Sequence, residues 1–173
     1  MNSNIQFTPH FELLEFVVSQ TARDHGLDNT PPAEAVENLR ALCVHTLEPL
    51  RNVLGLPIVV TSGYRTKALN RLLVQHSNKS QHMNGEAADF YVSHTDSTDN
   101  TENAVASRRE LLVKAFRQII TNDSIAFDQC IIYPSFIHVS YVRSGRKNRS
   151  KLTRAFANGS YAALTRAQAL ALE

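Results

Sequence analysis

The sequence has few of the features that identify whole classes of protein. Its two cysteines, Cys43 and Cys130, lie in apolar surroundings without a C-x-x-C spacing, so two buried reduced thiols are expected rather than a disulfide. No stretch approaches the roughly 18 apolar residues that a membrane span needs. The net charge is only +2 at pH 7, which gives no overall case for a nucleic-acid partner.

The start of the chain does not have the features of a signal peptide. The first sixteen residues carry no Lys or Arg followed by an apolar run, so synthesis in the cytoplasm is expected.

A chain of 173 residues that is 43% hydrophobic can bury one sizeable core, which predicts a single domain over 1–173. We expect it to be a monomer. The run "RSGRKNRSKLTR", residues 143–154, predicts a basic C-terminal tail that is either solvated or bound to an anionic polymer.

Hydrophobic spacing predicts helices first and strands later. Helices are expected over 10–26, over 31–55 with a bend at Pro49, over 66–76, over 107–122 and near the C-terminus. Short β-branched runs predict strands near 57–62, 87–93, 128–134 and 136–142, and a polar loop is expected over 94–107. This order favours an α+β fold in which helices flank a small antiparallel sheet.

The stretch "SQHMNGEAADFYV" carries His82 and Asp89 around small residues. Gly85 and its alanine neighbours leave room for close approach of backbone, where an ordinary loop would carry bulk or charge. In the later strand "FIHVSY", alternation puts His138 on the face opposite Ile137 and Val139.

Two histidines and one aspartate form a possible catalytic zinc site. Such a site uses three protein ligands and leaves a fourth position open for water or substrate. Taken one at a time, each residue also fits a structural role: His82 in a solvated loop, Asp89 at a strand start, and His138 as a satisfied histidine within a sheet.

Three ordered blocks carry a resemblance to a known family. "TSGYRTKALNRLL", "SQHMNGEAADF" and "FDQCIIYPSFIHVSY" resemble the zinc peptidases that include D-alanyl-D-alanine carboxypeptidases and phage endolysins, peptidase family M15, in its short single-domain branch. The resemblance covers about 58–141. It implies a DD-peptidase-like fold with the metal site at the sheet edge, and hydrolysis of a D-amino-acid-containing bond in peptidoglycan stem peptides by metal-activated water.

The resemblance also implies roles for individual residues. His82, Asp89 and His138 match the zinc ligands, and Arg65 matches an arginine that contacts the substrate or the developing oxyanion, which suits a fixed guanidinium. Ser80 and Gln81 match a substrate-binding pair. Asp128 matches a residue that could orient a zinc histidine, although a turn cap is an equally good interpretation.

One position departs from the family pattern. The family mechanism uses a Glu a few residues before the last zinc histidine as general base, and there is none between Asp128 and His138, where Tyr133 or Ser135 stands instead. Three substitutes are open: Asp128, which we favour as the catalytic group, Glu86 turned inward, or Tyr133 as a weaker acid.

Two functional hypotheses follow, with a third as the simplest alternative. The first is a zinc metallopeptidase acting on the cell wall after release from the cell. The second is a zinc-containing cell-wall-binding module of the same fold that has lost hydrolysis. The third is an α+β domain without metal, in which the three polar residues are structural.

Overall fold

The computed structural model describes residues 4–73, 77–93 and 102–172. Of the polar loop predicted over 94–107, residues 94–101 lie outside the described ranges, and the prediction is wrong from Glu102 onwards, where the chain is helical. The helices are α1 Leu13–Val17, α2 Gln20–Asp24, α3 Ala33–Leu42, α4 Glu48–Leu54, α5 Lys67–Leu72, α6 Glu102–Thr121 and α7 Arg166–Leu170. The strands are β1 Gln6–Thr8, β2 Phe11–Glu12, β3 Ile58–Ser62, β4 Ala87–Val92, β5 Gln129–Ile132, β6 Ile137–Ser140, β7 Lys151–Ala155 and β8 Tyr161–Leu164.

The main sheet has six strands in the order β3-β4-β6-β5-β7-β8, and β1 and β2 form a separate pair. The α+β class is confirmed, but the all-antiparallel sheet is wrong because β5 and β7 run parallel. The parallel pair arises because the chain leaves β6 and returns on the far side of β5. The strand on that side, β7, comes from the segment that the sequence analysis assigned to a basic tail.

The long second helix contains a wide turn where Pro49 interrupts its hydrogen bonding. Residues Cys43–Leu47 form a π-helical turn between α3 and α4. Pro49 has no N–H to donate to the carbonyl four residues earlier, and the His45 carbonyl accepts instead from the Ala126 amide at 2.9 Å. The Thr46 hydroxyl donates to the Ala126 carbonyl, so the helix anchors the chain just before β5.

Two other helix predictions differ from the structure at their ends. The first helix is divided into α1 and α2 because Val18 is extended and Ser19 caps α2, its hydroxyl accepting from the Ala22 amide. The predicted C-terminal helix is confirmed only in part, since Tyr161–Leu164 is a strand and only Arg166–Leu170 is helical.

One face of the sheet is buried against helices, and the other is left for a cleft. Helix α6 packs on β4 and β5, covering side chains such as Phe90 and Ile132 that have no exposed surface.

Cys43 and Cys130 are both free and buried, as predicted, and burial raises the pKa of both thiols. Within the described residues, no helix is long and apolar enough to cross a membrane.

Candidate metal centre

A short 3₁₀ turn places His82 at the floor of the cleft. The turn spans Gln81–Asn84 and ends at Gly85, whose φ of +71° is left-handed. A Cβ at Gly85 would lie 2.3 Å from the Ala35 carbonyl oxygen, so the close backbone approach expected from this stretch is present. His82 is 2% exposed, and its Nδ1 lies 2.7 Å from the Gly63 carbonyl oxygen. That oxygen can only accept, so Nδ1 carries the proton and Nε2 offers its lone pair to the cleft.

Strand register brings the other two residues together. Asp89 on β4 pairs directly with His138 on β6, and paired residues of adjacent strands project from the same face. The predicted alternation of His138 against buried Ile137 and Val139 is present. Both strands are interior to the sheet, so the cluster lies on the sheet face and the expectation of a site at the sheet edge is wrong.

The three side chains converge on one point. Their nearest ligand atoms are 2.8 Å apart for His138 Nδ1 and Asp89 Oδ1, 3.1 Å for the two histidines, and 3.3 Å for His82 Nε2 and Asp89 Oδ1. A tetrahedral zinc ion with bonds of 2.0–2.1 Å separates its ligands by about 3.3 Å. The donor set and spacing fit a zinc ion, although zinc binding itself remains a prediction.

The charge state of the cluster also suits a metal ion. Burial lowers the pKa of His82, although the nearby Asp89 carboxylate acts in the opposite direction. The lowered pKa keeps the imidazole neutral. Burial alone would raise the pKa of Asp89, but His82 and His138 hold it well below the usual range of an aspartate. Neutral imidazole and ionised carboxylate are the forms that bind metal.

Arg65 lies beside the cluster. Its Nη2 is 3.6 Å from Asp89 Oδ2, and its backbone amide donates to the His82 carbonyl. Asn29 fixes the same loop by donating to the Tyr64 carbonyl and accepting from the Thr66 amide. The Nε atom of Arg65 is buried and has no hydrogen-bond partner among the described residues. A guanidinium group that is fixed in position and has an unused N–H donor can bind an anionic group in the cleft.

Asp128 is fully buried, in a different environment from the one expected for a catalytic group. Its carboxylate accepts from Arg146 Nη1 at 2.6 Å, from Arg149 Nε at 3.0 Å and from Gln81 Nε2 at 3.1 Å. The Arg149 backbone amide also donates to it. Burial would raise the pKa of Asp128, but the two arginines hold it well below the usual range. None of these partners is His82 or His138.

The cleft beside the cluster has a volume of about 790 Å³, within the roughly 300–1,000 Å³ typical of ligand pockets. Ser80, Gln81 and Tyr133 line it. Glu86 does not belong to this lining, and its carboxylate accepts from Gln81 and Asn84.

Tyr133 stands with its ring stacked on Phe136 and its hydroxyl 3.2 Å from that of Tyr161. Burial, Tyr161 and the Asp89 carboxylate together raise its pKa. The phenol is therefore protonated at neutral pH and can donate a hydrogen bond.

Several cleft residues were missed by sequence reasoning. Arg146 and Arg149 read as part of a basic tail, whereas they bind Asp128 and line the cleft. Thr153 and Asn70 line it as well, each with a buried oxygen that has no partner within the described chain. The segment "KLTRA" carries no clear apolar alternation, because Arg154 shares a face with Leu152, so the strand carrying Thr153 had little signal in the sequence.

A cluster of two histidines and one carboxylate, open to a cleft on an α+β scaffold, is the donor set of metal-dependent hydrolases. The family described as Peptidase M15 matches residues 9–124, more than half of the chain, and the chain belongs to this family of peptidases. The matched range includes Arg65, His82 and Asp89 and ends before His138, which the fold brings to the other two. No curated protein matches the chain.

Proposed function

We propose that this M15 peptidase depends on zinc and hydrolyses a peptide bond in peptidoglycan stem peptides, at a bond that involves a D-amino acid. The convergence of His82, Asp89 and His138, whose ligand atoms all lie within 4.8 Å of one another, carries the proposal. These three residues would hold the ion. When bound, a zinc ion activates water and polarises the scissile carbonyl.

The side chains around the cluster would orient the substrate and stabilise charge. Arg65 would donate to the oxygen that becomes negative as the carbonyl is attacked, and its position beside Asp89 of the cluster supports this role. Tyr133, protonated and facing the cleft, would donate a second hydrogen bond to the reacting groups. Ser80 and Gln81 would bind the peptide from the His82 side of the cleft.

We assign Asp128 a positioning role rather than that of a base. Its two oxygens already accept from two guanidinium groups, an amide side chain and a backbone amide, and a carboxylate held ionised by arginines is a weak base. Through Gln81 and Arg149 it would hold the His82 turn against the loop before β7.

Metal content and product release test the proposal together. Purified chain is expected to hold about one zinc ion and, when loaded, to release soluble peptides or D-alanine from purified sacculi. His138→Ala should lose both the ion and the products, whereas His25→Ala, at an exposed position on the far end of α2, should lose neither. Zinc-free wild-type protein, or unchanged sacculi at every metal loading, would contradict the proposal.

A second function is favoured by one observation. Among the cleft-lining residues that the structure describes, Asp89 is the only carboxylate, and it belongs to the metal cluster. A site without a free carboxylate base is suited to holding a peptide without cutting it. This zinc-containing binding module would co-sediment with sacculi, in a manner that a chelator reverses, while releasing no soluble product.

A further inference from the structure

Cationic side chains outnumber acidic ones in the lining of the cleft. Lys79, Arg146, Arg149 and Lys151 line it together with Arg65, and Asp89 is the only acidic side chain among the described residues of the lining. The buried Asp128 offsets part of the charge of Arg146 and Arg149, yet the side chains of these arginines remain 42% and 49% exposed. Lys151 is exposed, and no acidic partner among the described residues neutralises it.

Buried polar atoms without partners concentrate in the same cleft. Five buried side-chain atoms in the described chain have no hydrogen-bond partner, and three of them belong to cleft residues: Arg65 Nε, Asn70 Oδ1 and Thr153 Oγ1. Thr153 is only 6% exposed. A buried polar atom left without a partner costs about 1–3 kcal/mol, so these three atoms are free to pair with water or with a polar ligand in the cleft.

Register fixes where Thr153 lies relative to the metal cluster. Asp89 pairs with His138, His138 with Ile131, and Ile131 with Thr153, so the four residues form one row across the sheet. Neighbouring strands are about 4.8 Å apart, which puts Thr153 about 10 Å from His138 with Ile131 between them as an apolar floor. Lys151 lies two residues before Thr153 and shares its face of β7.

We propose that Lys151, Thr153 and Arg149 form a subsite for a substrate carboxylate, about 10 Å from the bond that is cut. An extended peptide advances about 3.3–3.6 Å per residue, so the carboxylate would belong to a residue two or three positions from the scissile bond. Lys151 and Arg149 supply charge, and the Thr153 hydroxyl donates the buried hydrogen bond. The subsite rests on the proposed function and deepens it, since it selects stem peptides that carry a free acid at that distance.

Two peptides that differ only in this carboxylate test the subsite. The first probe is L-Ala-γ-D-Glu-L-Lys-D-Ala amide, which keeps a free α-carboxylate on its second residue, and the second has D-isoglutamine there and is otherwise identical. Both are amidated at the C-terminus, so that Arg65 has no terminal carboxylate to bind. Affinities of fluorescently labelled peptides for zinc-loaded full-length protein are measured by anisotropy at two salt concentrations.

Wild-type protein should bind the acidic peptide about ten times more tightly than the amidated one, because a charge-assisted hydrogen bond contributes on the order of a factor of ten. Lys151→Gln and Thr153→Val should each reduce that preference about threefold or more, and added salt should reduce it in the wild type. Lys147→Gln removes an equal charge from an exposed residue of the loop before β7 that does not line the cleft, and it should leave the preference unchanged.

Equal affinity of the wild type for the two peptides, including failure to bind either, would overturn the subsite. Equal effects of Lys151→Gln and Lys147→Gln would overturn it as well, because the charge would then act only at long range. Thermal melts of all variants exclude unfolding as the cause of a lost preference. Peptide hydrolysis is measured separately. Selective binding without cleavage would support the subsite and contradict the peptidase proposal. Cleavage without selective binding would support the peptidase proposal and contradict the subsite.

Discussion

Substituting Asp128 by Asn tests whether this residue holds the site together or takes part in the chemistry. Asn keeps one acceptor oxygen but turns an N–H group towards Arg146, Arg149 and Gln81, all of which donate to the native carboxylate. Breaking a buried ion pair costs about 3–5 kcal/mol. The two arginine side chains are nearly half exposed and can be hydrated when the pair is broken, so we expect the low end, about 3 kcal/mol.

A loss of this size is measurable by urea unfolding and as a fall in Tm of about 6–12 °C, since 1 kcal/mol shifts Tm by about 2–4 °C in a chain of this length. The stabilisation should also depend on pH. The folded-state pKa of Asp128 lies below its unfolded-state value of about 3.9. The carboxylate therefore stabilises the fold fully above that value, and its contribution is lost as the pH falls towards the depressed folded pKa. The difference between wild type and Asp128→Asn should shrink as the pH falls below about 4.

The matched control is Asp123→Asn, at an exposed position in the turn after α6, which should change the free energy of unfolding by less than about 0.5 kcal/mol. If Asp128→Asn is as stable as Asp123→Asn, the anchoring argument is refuted. If it is stable and yet loses peptide hydrolysis, Asp128 acts on the reacting groups, as the sequence first suggested.

Three further predictions follow from the site and its supports. Zinc at 100 times its dissociation constant should stabilise the wild type by about 2.7 kcal/mol against chelator-treated protein, seen as a shift in Tm that His82→Ala abolishes; an equal shift in that variant would place the ion elsewhere. Gly85→Ala should cost more than about 2 kcal/mol in urea unfolding, since it adds a clash with Ala35 to the left-handed backbone strain of about 1–2 kcal/mol. Gly55→Ala, with a similar φ and open space around it, should cost only the strain, and equal losses would contradict the clash. Tyr133→Phe should lower kcat about tenfold or more while KM changes less than twofold; a change in KM alone would make the phenol a binding group.

Local pattern was enough to predict the individual parts of the site. His82 and Asp89 stand around small residues in one stretch, and alternation in "FIHVSY" set the face of His138. The pairing of Asp89 with His138 depends on strand register, which one sequence does not specify when several short strands can pair. The family resemblance implied that these residues come together, and the strand pairing in the fold explains how they do so.

The supporting residues could not be predicted because their partners are distant in sequence and chemically unremarkable. Arg146 and Arg149 read as solvated charges until a buried carboxylate about twenty residues earlier is placed against them. Asp128 therefore appeared available for catalysis. The two arginines that bind it come from the loop before β7, the strand whose parallel pairing with β5 makes the sheet mixed.

The added strand gives the site a second half. Without β7 the sheet would end at β5, next to the strand of His138, and the cleft would have metal ligands but no opposite wall. With it, Asp89, His138, Ile131 and Thr153 form one row, and a peptide lying along this row meets the cluster at one end and cationic and hydroxyl groups at the other. The same loop that forms the wall is fastened to the His82 turn through Asp128 and Gln81. Under the proposed function, substrate selection and metal-site geometry would therefore be coupled, and a change that loosens the loop should weaken both together.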